Sequence, residues 1–425
     1  MPIQAYSQDT AIVHTFPNGL TLAMEFIPHV HSISAGVWIK TGSGNELPEH
    51  GGISHFIEHL LFKGTRNRSA RDLVESIESK GGQINAFTTR DTTCLYVKVL
   101  ESQWQVAVDV LADVVRNSLL CDVEKERNVI LEEIASIEDV PEELAHDLFT
   151  ERLWPGHPLG RPITGTTESV GRITEAELAA YYHTWYRPEN IIFSMAGNFD
   201  PEQVYQRLAE DFEDAEAGEA PEDSTQPPRF TSGIQAAERD IGQSHVCFGF
   251  PGPTCTSSRR YVYDLLASAL GGGSTSRLFE KVREDQGLAY AIYSFESAYL
   301  LSGMFGVYAA VAPENLETAL GLCAQEMRDI RDNAMSEDEL TLNREQLKGS
   351  MLMSLESTFN RMARLAKSLH YHGRIVPIQE ILDNLEAITV SDVQALAQEI
   401  FRPDQCCMVV VGPHQQESLR LPPLD

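Results

Sequence analysis

The stretch Gly51–Gly64, GGISHFIEHLLFKG, sets two histidines and a glutamate at i, i+3 and i+4: His55, Glu58 and His59. On an α-helix that spacing puts all three on one face. The two imidazoles can reach a single divalent ion. Glu58 stands between them and can take a proton from a water that such an ion activates. This is the geometry of a metal-assisted peptide hydrolase in which the HExxH order is inverted. The competing reading is a buried helix whose histidines make only local hydrogen bonds. Its flank of Ile53, Phe56, Ile57, Leu60, Leu61 and Phe62 weighs toward a metal. Burying three ionisable groups together is costly unless an ion or hydrogen-bond partners compensate. Ser54 can cap this helix or lie in its first turn, and Gly64 is placed to end it.

A tetrahedral zinc site needs a third protein ligand and an open position. The segment Cys121–Val140, CDVEKERNVILEEIASIEDV, reads as a helix with glutamates at 124, 126, 132, 133 and 138. Seven residues advance a helix by about 700°, which is about 20° short of two turns, so Glu126 and Glu133 share a face. Val129, Ile130 and Ile137 flank that line and give it an apolar margin, whereas Glu132 runs toward Lys125, Asn128 and Ser136. Periodicity therefore prefers Glu133 as the ligand, with Glu126 orienting a ligand or shaping the field. A charged surface helix is the alternative.

Positioning these groups takes a scaffold, and 425 residues suit two domains of roughly 200 residues each. TFPNGLTLAMEFI, SISAGVWIKTG, INAFTTRDTTCLYVKVL and QSHVCFGFPG read as strands; helices are expected at 53–62, 69–79, 102–117, 123–138, 142–151, 258–269, 315–329 and 337–349. A repeat divides the chain. Arg172–Gly197 resembles Ala387–Gly412, with Ile173/Ile388, Thr174/Thr389, Arg187/Arg402, Pro188/Pro403 and Gly197/Gly412 all 215 residues apart. Each copy reads as a Thr-capped helix ended by Arg-Pro and followed by an apolar strand. The acidic, proline-containing stretch 213–230 reads as a linker, giving an N-terminal domain 1–212 and a duplicated C-terminal domain 231–425. The expected class is α+β, two duplicated α/β sandwich domains.

Charge narrows the partners. With 62 Asp and Glu against 33 Lys and Arg, the net charge of −29 disfavours a nucleic-acid backbone and favours cationic partners, basic peptides among them. Seven scattered cysteines without CxxC spacing read as reduced thiols. The first residues lack the basic start and apolar stretch of a signal peptide, and no apolar run reaches membrane-spanning length, so a cytoplasmic location is expected.

These motifs resemble the inverzincin metallopeptidases of the M16, or pitrilysin, family, and in particular its short two-domain branch that includes mitochondrial processing peptidase and bacterial relatives. The likeness covers nearly the whole chain, with GGISHFIEHLLFKGT similar to the family's zinc helix. It implies a zinc metalloendopeptidase with one Zn²⁺ per chain held by His55, His59 and Glu133, with Glu58 as general base. Glu133 lies 74 residues beyond His59, which fits the family's spacing, and Glu126 falls on a glutamate important for catalysis in relatives. Gly81–Val99 resembles an edge strand that takes an extended substrate by main-chain hydrogen bonds, implying substrate roles for Asn85, Ala86 and Phe87, with Phe62 lining a side-chain pocket. HPLGRPITGT at 157–166 is also family-like, with His157 structural. Leu270–Ser294 resembles a C-terminal signature in which Arg283 and Tyr290 hydrogen-bond the substrate and help stabilise the tetrahedral intermediate.

No second HxxEH stands in the C-terminal half. The resemblance also implies a partner: a homodimer in which Arg283 and Tyr290 serve the other chain's zinc, or a heterodimer with a related subunit. A non-catalytic scaffold or peptide-binding subunit is the competing functional class.

Overall fold

Alternating strand patterns and amphipathic helices fold into the elements of a computed structural model that describes residues 11–215, 218 and 225–425. The first part of the chain forms β1 (Ala11–Thr15), β2 (Thr21–Phe26), β3 (Ser32–Ile39), α1 (Ile53–Leu60), α2 (Ala70–Glu78), β4 (Gln83–Thr88), β5 (Thr93–Leu100), α3 (Trp104–Asn117) and α4 (Val123–Glu138). Next come α5 (Pro141–Leu153), α6 (Thr167–Arg172), α7 (Glu175–Trp185), β6 (Ile191–Gly197) and α8 (Pro201–Asp211). The remainder forms β7 (Gly233–Glu238), β8 (Ser244–Gly252), α9 (Arg260–Gly271), β9 (Ala289–Ala298), β10 (Gly303–Val311), α10 (Leu316–Asp332) and α11 (Glu337–Ser354). It ends with α12 (Thr358–His372), α13 (Ile378–Glu386), α14 (Val390–Ile400) and β11 (Cys407–Gly412). Met1–Thr10 and, within the expected linker, residues 216, 217 and 219–224 lie outside the described residues.

Among the described residues the strands make two sheets of one topology. The first runs β1-β2-β6-β3-β5-β4 and the second β7-β11-β8-β10-β9. In each, one pair is parallel, β2 with β6 and β7 with β11, and every other pair is antiparallel. Without β1 the orders match strand for strand. The sequence repeat falls on α7–β6 and α14–β11, where Thr174 and Thr389 occupy the same capping position and accept from the amides of Glu177 and Asp392.

The compact units are not continuous along the chain, unlike the expected domains 1–212 and 231–425. One unit takes residues up to 134, 162–225 and 352–379; the other takes 135–161, 226–351 and 380 onward. The physical reason is that a sheet has two faces to cover. In the first unit α1 and α3 bury Ile53, Phe56, Ile57, Leu60, Val108 and Leu111 against Leu22, Val37 and Met195 on one face. The opposite face, with Ile27, Trp38, Cys94 and Ile192, is covered by Met362, Ala363 and Ala366 of α12. Thr358 Oγ1 lies 3.2 and 3.0 Å from the hydroxyls of Ser32 and Ser34, and Arg361 pairs with the buried Glu25. In the second unit α5 packs Ala145, Phe149 and Leu153 on Cys247, Tyr308, Cys407 and Val409. Each fully buried Leu, Ile or Phe contributes about 1.5–3 kcal/mol, so packing decides where these helices lie. Among the described residues no helix is long and apolar enough to cross a membrane.

Candidate active site

At eight residues α1 is too short to hold as an isolated helix, and its neighbours fix it. The N-cap is Gly52, at φ +91°, with no side chain to satisfy the first amides. Glu46 does this instead: its Oε2 accepts from Gly52 N at 2.8 Å and its Oε1 from Ser54 N at 2.9 Å. A carboxylate there also answers the positive end of the helix dipole. Ser54 therefore lies in the first turn, its hydroxyl 2.9 Å from Tyr181 OH. The apolar face goes into the core, leaving His55, Glu58 and His59 together on the other side.

Glu126 and Glu133 of α4 meet that face. His55 Nε2 lies 3.6 Å from Glu133 Oε1 and His59 Nε2 lies 3.5 Å from Glu133 Oε2. These separations are long for hydrogen bonds. They match a shared ion, since ligand bonds of about 2.0–2.2 Å in a tetrahedron put donor atoms about 3.3–3.6 Å apart. Among the described residues this trio alone brings three His, Cys, Asp or Glu ligand atoms within 4.8 Å of one another. The donor set of two imidazoles and one carboxylate suits zinc. Glu132 is exposed, as the helical period requires. Val129 departs from its expected place in an apolar margin: it is 45% exposed, and Val123, Ile130 and Ile134 carry the burial.

The electrostatics separate the members. Burial, with His59 beside it, pushes the His55 imidazole down to about 4 against the pull of Glu133, so His55 is neutral at pH 7 and its ring nitrogen is free to ligate. Among the described residues His55 Nδ1 is buried without a hydrogen-bond partner. Burial also disfavours protonated His59, yet Glu133, Glu58 and Glu126 together hold its pKa above the ordinary value. Glu126 is 3% exposed, with Oε2 3.4 Å from His59 Nδ1 and Oε1 2.6 Å from Lys63 Nζ. It thus faces the ring nitrogen turned away from Glu133. Glu58 is raised above the usual carboxylate range chiefly by burial, although Thr88 Oγ1 donates to its Oε2 at 2.6 Å.

The other expected residues are spread more widely. Among the described residues the strand β4 pairs with β5 alone and forms the edge of its sheet. Ala86 and Ile84 face the core beneath α1, and exposed Asn85 accepts from Ala86 N through its own Oδ1 at 2.8 Å. Phe87 turns to the opposite face, its ring 5.6 Å from Trp38 and 6.1 Å from Tyr96, so it does not line the α1 side. Phe62 is half-buried against the core. His157 is structural: Nδ1 accepts from Leu159 N and Nε2 lies 2.8 Å from Gln226 O. Arg283 and Tyr290 belong to the second unit. Arg283 sits in the π-helical turn Phe279–Glu284, its guanidinium 4.8 Å from the Phe279 ring, and Tyr290 is 78% exposed on the edge strand β9. Sequence reasoning missed Glu46 and Thr88, whose spacing to α1 carries no local periodicity.

A family model described as insulinase, peptidase family M16, matches residues 21–167, and one described as the peptidase M16 inactive domain matches residues 172–347. An uncharacterized zinc protease of Streptomyces coelicolor is 37% identical over 410 residues, 94% of this chain and 89% of that protein. The uncharacterized zinc protease YmxG of Bacillus subtilis is 37% identical over 400 residues, 93% of this chain and 97% of that one. Among solved structures, a protease from Helicobacter pylori has a TM-score of 0.88 at 21% identity, covering 94% of this chain and 99% of its own. A peptidase M16 inactive domain from Pseudomonas fluorescens has a TM-score of 0.88 at 19% identity over 95% and 98% of the two chains. At such identities these structures show a common fold.

Proposed function

The chain belongs to the M16 peptidase family, and from that premise we propose that it is a zinc metalloendopeptidase acting on extended peptides or unfolded segments. The observation that carries the reading is the spacing of 3.5–3.6 Å between the Glu133 oxygens and the two Nε2 atoms, with a carboxylate base on the same helix face. Zinc held by His55, His59 and Glu133 would supply Lewis acidity, polarising the scissile carbonyl and acidifying a water. Glu58 takes the proton from the attacking water and passes it to the leaving amine. Its raised pKa brings donor and acceptor forms closer to balance near neutral pH. Glu126 receives His59 Nδ1 and fixes the ring.

The free edge of β4 offers main-chain donors and acceptors to a substrate in strand form. Arg283 and Tyr290 supply further donors toward substrate carbonyls and developing negative charge. Because one chain carries both sets of residues, the partner in this reading is a second copy of itself. The net charge of −29 favours basic peptides.

A single experiment tests this. The purified chain and its Glu58→Gln variant are given a diverse peptide library with and without chelator, and cuts are read by mass spectrometry beside the zinc content. The wild type is expected to cut, with basic peptides enriched and chelator abolishing the cuts. Glu58→Gln should keep zinc and lose more than about 10³-fold in rate, the upper part of the range for a general base acting with a preorganised site. A wild type that binds peptides but neither holds zinc nor cuts would be a scaffold instead.

A further inference from the structure

We infer that Thr88 is a positioning residue for the hydrolysis proposed above, holding the Glu58 carboxylate in its working orientation. The inference rests on that reading of the site and adds a residue to it.

The contact is short and directional: Thr88 Oγ1 donates to Glu58 Oε2 at 2.6 Å, within the range for a hydroxyl bonded to a charged oxygen. It occupies one carboxylate oxygen and leaves Oε1 for proton transfer. A glutamate has three side-chain torsions, and freezing them costs conformational entropy. A β-branched donor with a stiff χ1 supplies a fixed partner. Strand parity puts the hydroxyl where it can act. Ala86 and Thr88 share the face of β4 turned to α1, whereas Phe87 points to Trp38 on the other.

Both ends of the hydrogen bond are fastened to one short segment. The hairpin after Thr88 is closed by Thr89 N donating to Thr92 O at 2.7 Å. It is tied down by Ser43 N to Thr89 O at 3.1 Å and Gly44 N to Arg90 O at 2.8 Å. Gly42 permits this approach, since a Cβ there would stand 2.1 Å from Thr89 O. Two residues beyond Gly44, Glu46 holds the first turn of α1. The segment 42–46 is thus a bracket between the end of β4 and the start of α1. It is held by main-chain hydrogen bonds on the β4 side and by the Glu46 carboxylate on the α1 side, and these set the distance from Thr88 to Glu58. Thr88 also ends the strand whose free edge is the proposed seat of the substrate, so one strand would orient both the peptide and the base.

The test compares Thr88→Val, which keeps the shape and removes the hydroxyl, with Thr88→Ser, which keeps the hydroxyl. Steady-state kinetics on one peptide are read beside zinc content and circular dichroism. Thr88→Val should lower kcat about 10- to 100-fold, the scale of a misplaced reacting group. Its KM and zinc content should stay within about twofold, because main-chain pairing and the metal ligands are untouched. Thr88→Ser should recover kcat to within about threefold of wild type. A wild type that does not cleave sinks the proposed function and this inference together. Active wild type with undiminished kcat in Thr88→Val overturns this inference alone. So does a loss that Ser fails to rescue, or one accompanied by loss of zinc or fold, since each marks a merely structural contact.

Discussion

Two helix pairs hold equivalent places in the duplicated topology, and among the described residues only one brings together side chains that could hold a metal ion. In the first unit α1 follows β3 and meets α4; in the second α9 follows β8 and meets α11. Both crossings seat a polar pair below the surface. In the first it is His59 Nδ1 and Glu126 Oε2 at 3.4 Å; in the second Ser268 Oγ donates to Asn343 Oδ1 at 3.0 Å. Counting from those anchors, the positions of His55 and Glu58 fall on Asp264 and Ala267, and that of Glu133 falls on Ser350. The second seat therefore has no imidazole, and no carboxylate at the place of Glu58. The scaffold provides a buried polar contact between two helices, and the chemistry comes from what else faces it.

The largest effect that sharpens this contrast is His59→Ala. It removes one of the three proposed ligands and leaves Glu126 and Glu133 without the imidazole they face. Zinc content should fall to background and cleavage by more than about 10³-fold, given what a catalytic metal contributes. Ser268→Ala, at the matching place, should leave both within about twofold. A comparable loss from Ser268→Ala would break the contrast. Glu126→Gln ranks next. The amide oxygen can still accept from His59 Nδ1, but the charge that faces Lys63 and the ring is gone. Zinc affinity should weaken about 10- to 100-fold, the usual effect of removing a ligand's hydrogen-bonding partner. Competition with a coloured chelator measures it. Unchanged affinity would mean that Glu126 only fills space.

Much of the site was legible from the chain because it obeys local periodicity. His55, Glu58 and His59 needed one helical turn, and Glu126 with Glu133 needed one heptad. The repeat at a spacing of 215 residues found α7–β6 and α14–β11 because strand and cap patterns are also local. The exchange of α5 and α12 was not legible. Their apolar spacing, such as Met362, Ala363 and Ala366, says that one face is buried and not against which sheet. Glu46 and Thr88 escaped for a similar reason: each acts on α1 across a loop whose course is set by packing. The resemblance groups Asn85, Ala86 and Phe87 along one strand without assigning a side to each, whereas strand alternation separates Phe87 from Ala86 and Thr88.

The smallest effect tests the quiet half of the comparison. Asn343 is 5% exposed, accepts from Ser268 and donates through Nδ2 to Glu339 O at 2.9 Å. Asn343→Ala strips both contacts and leaves the Ser268 hydroxyl facing an emptied seat, a cost of about 1–2 kcal/mol. Two units need not unfold together, so a single melting temperature is the wrong readout. Hydrogen exchange at the α9 amides reports the local loss directly. Adding Ser268→Ala to Asn343→Ala should cost less than the sum of the two single changes, by about 1 kcal/mol, because the second removal takes away a group already without its partner. Zinc affinity and kcat/KM should not move in any of the three variants. If they did, the second crossing would be part of the working machinery, and the equivalence of the two seats would extend from topology to function.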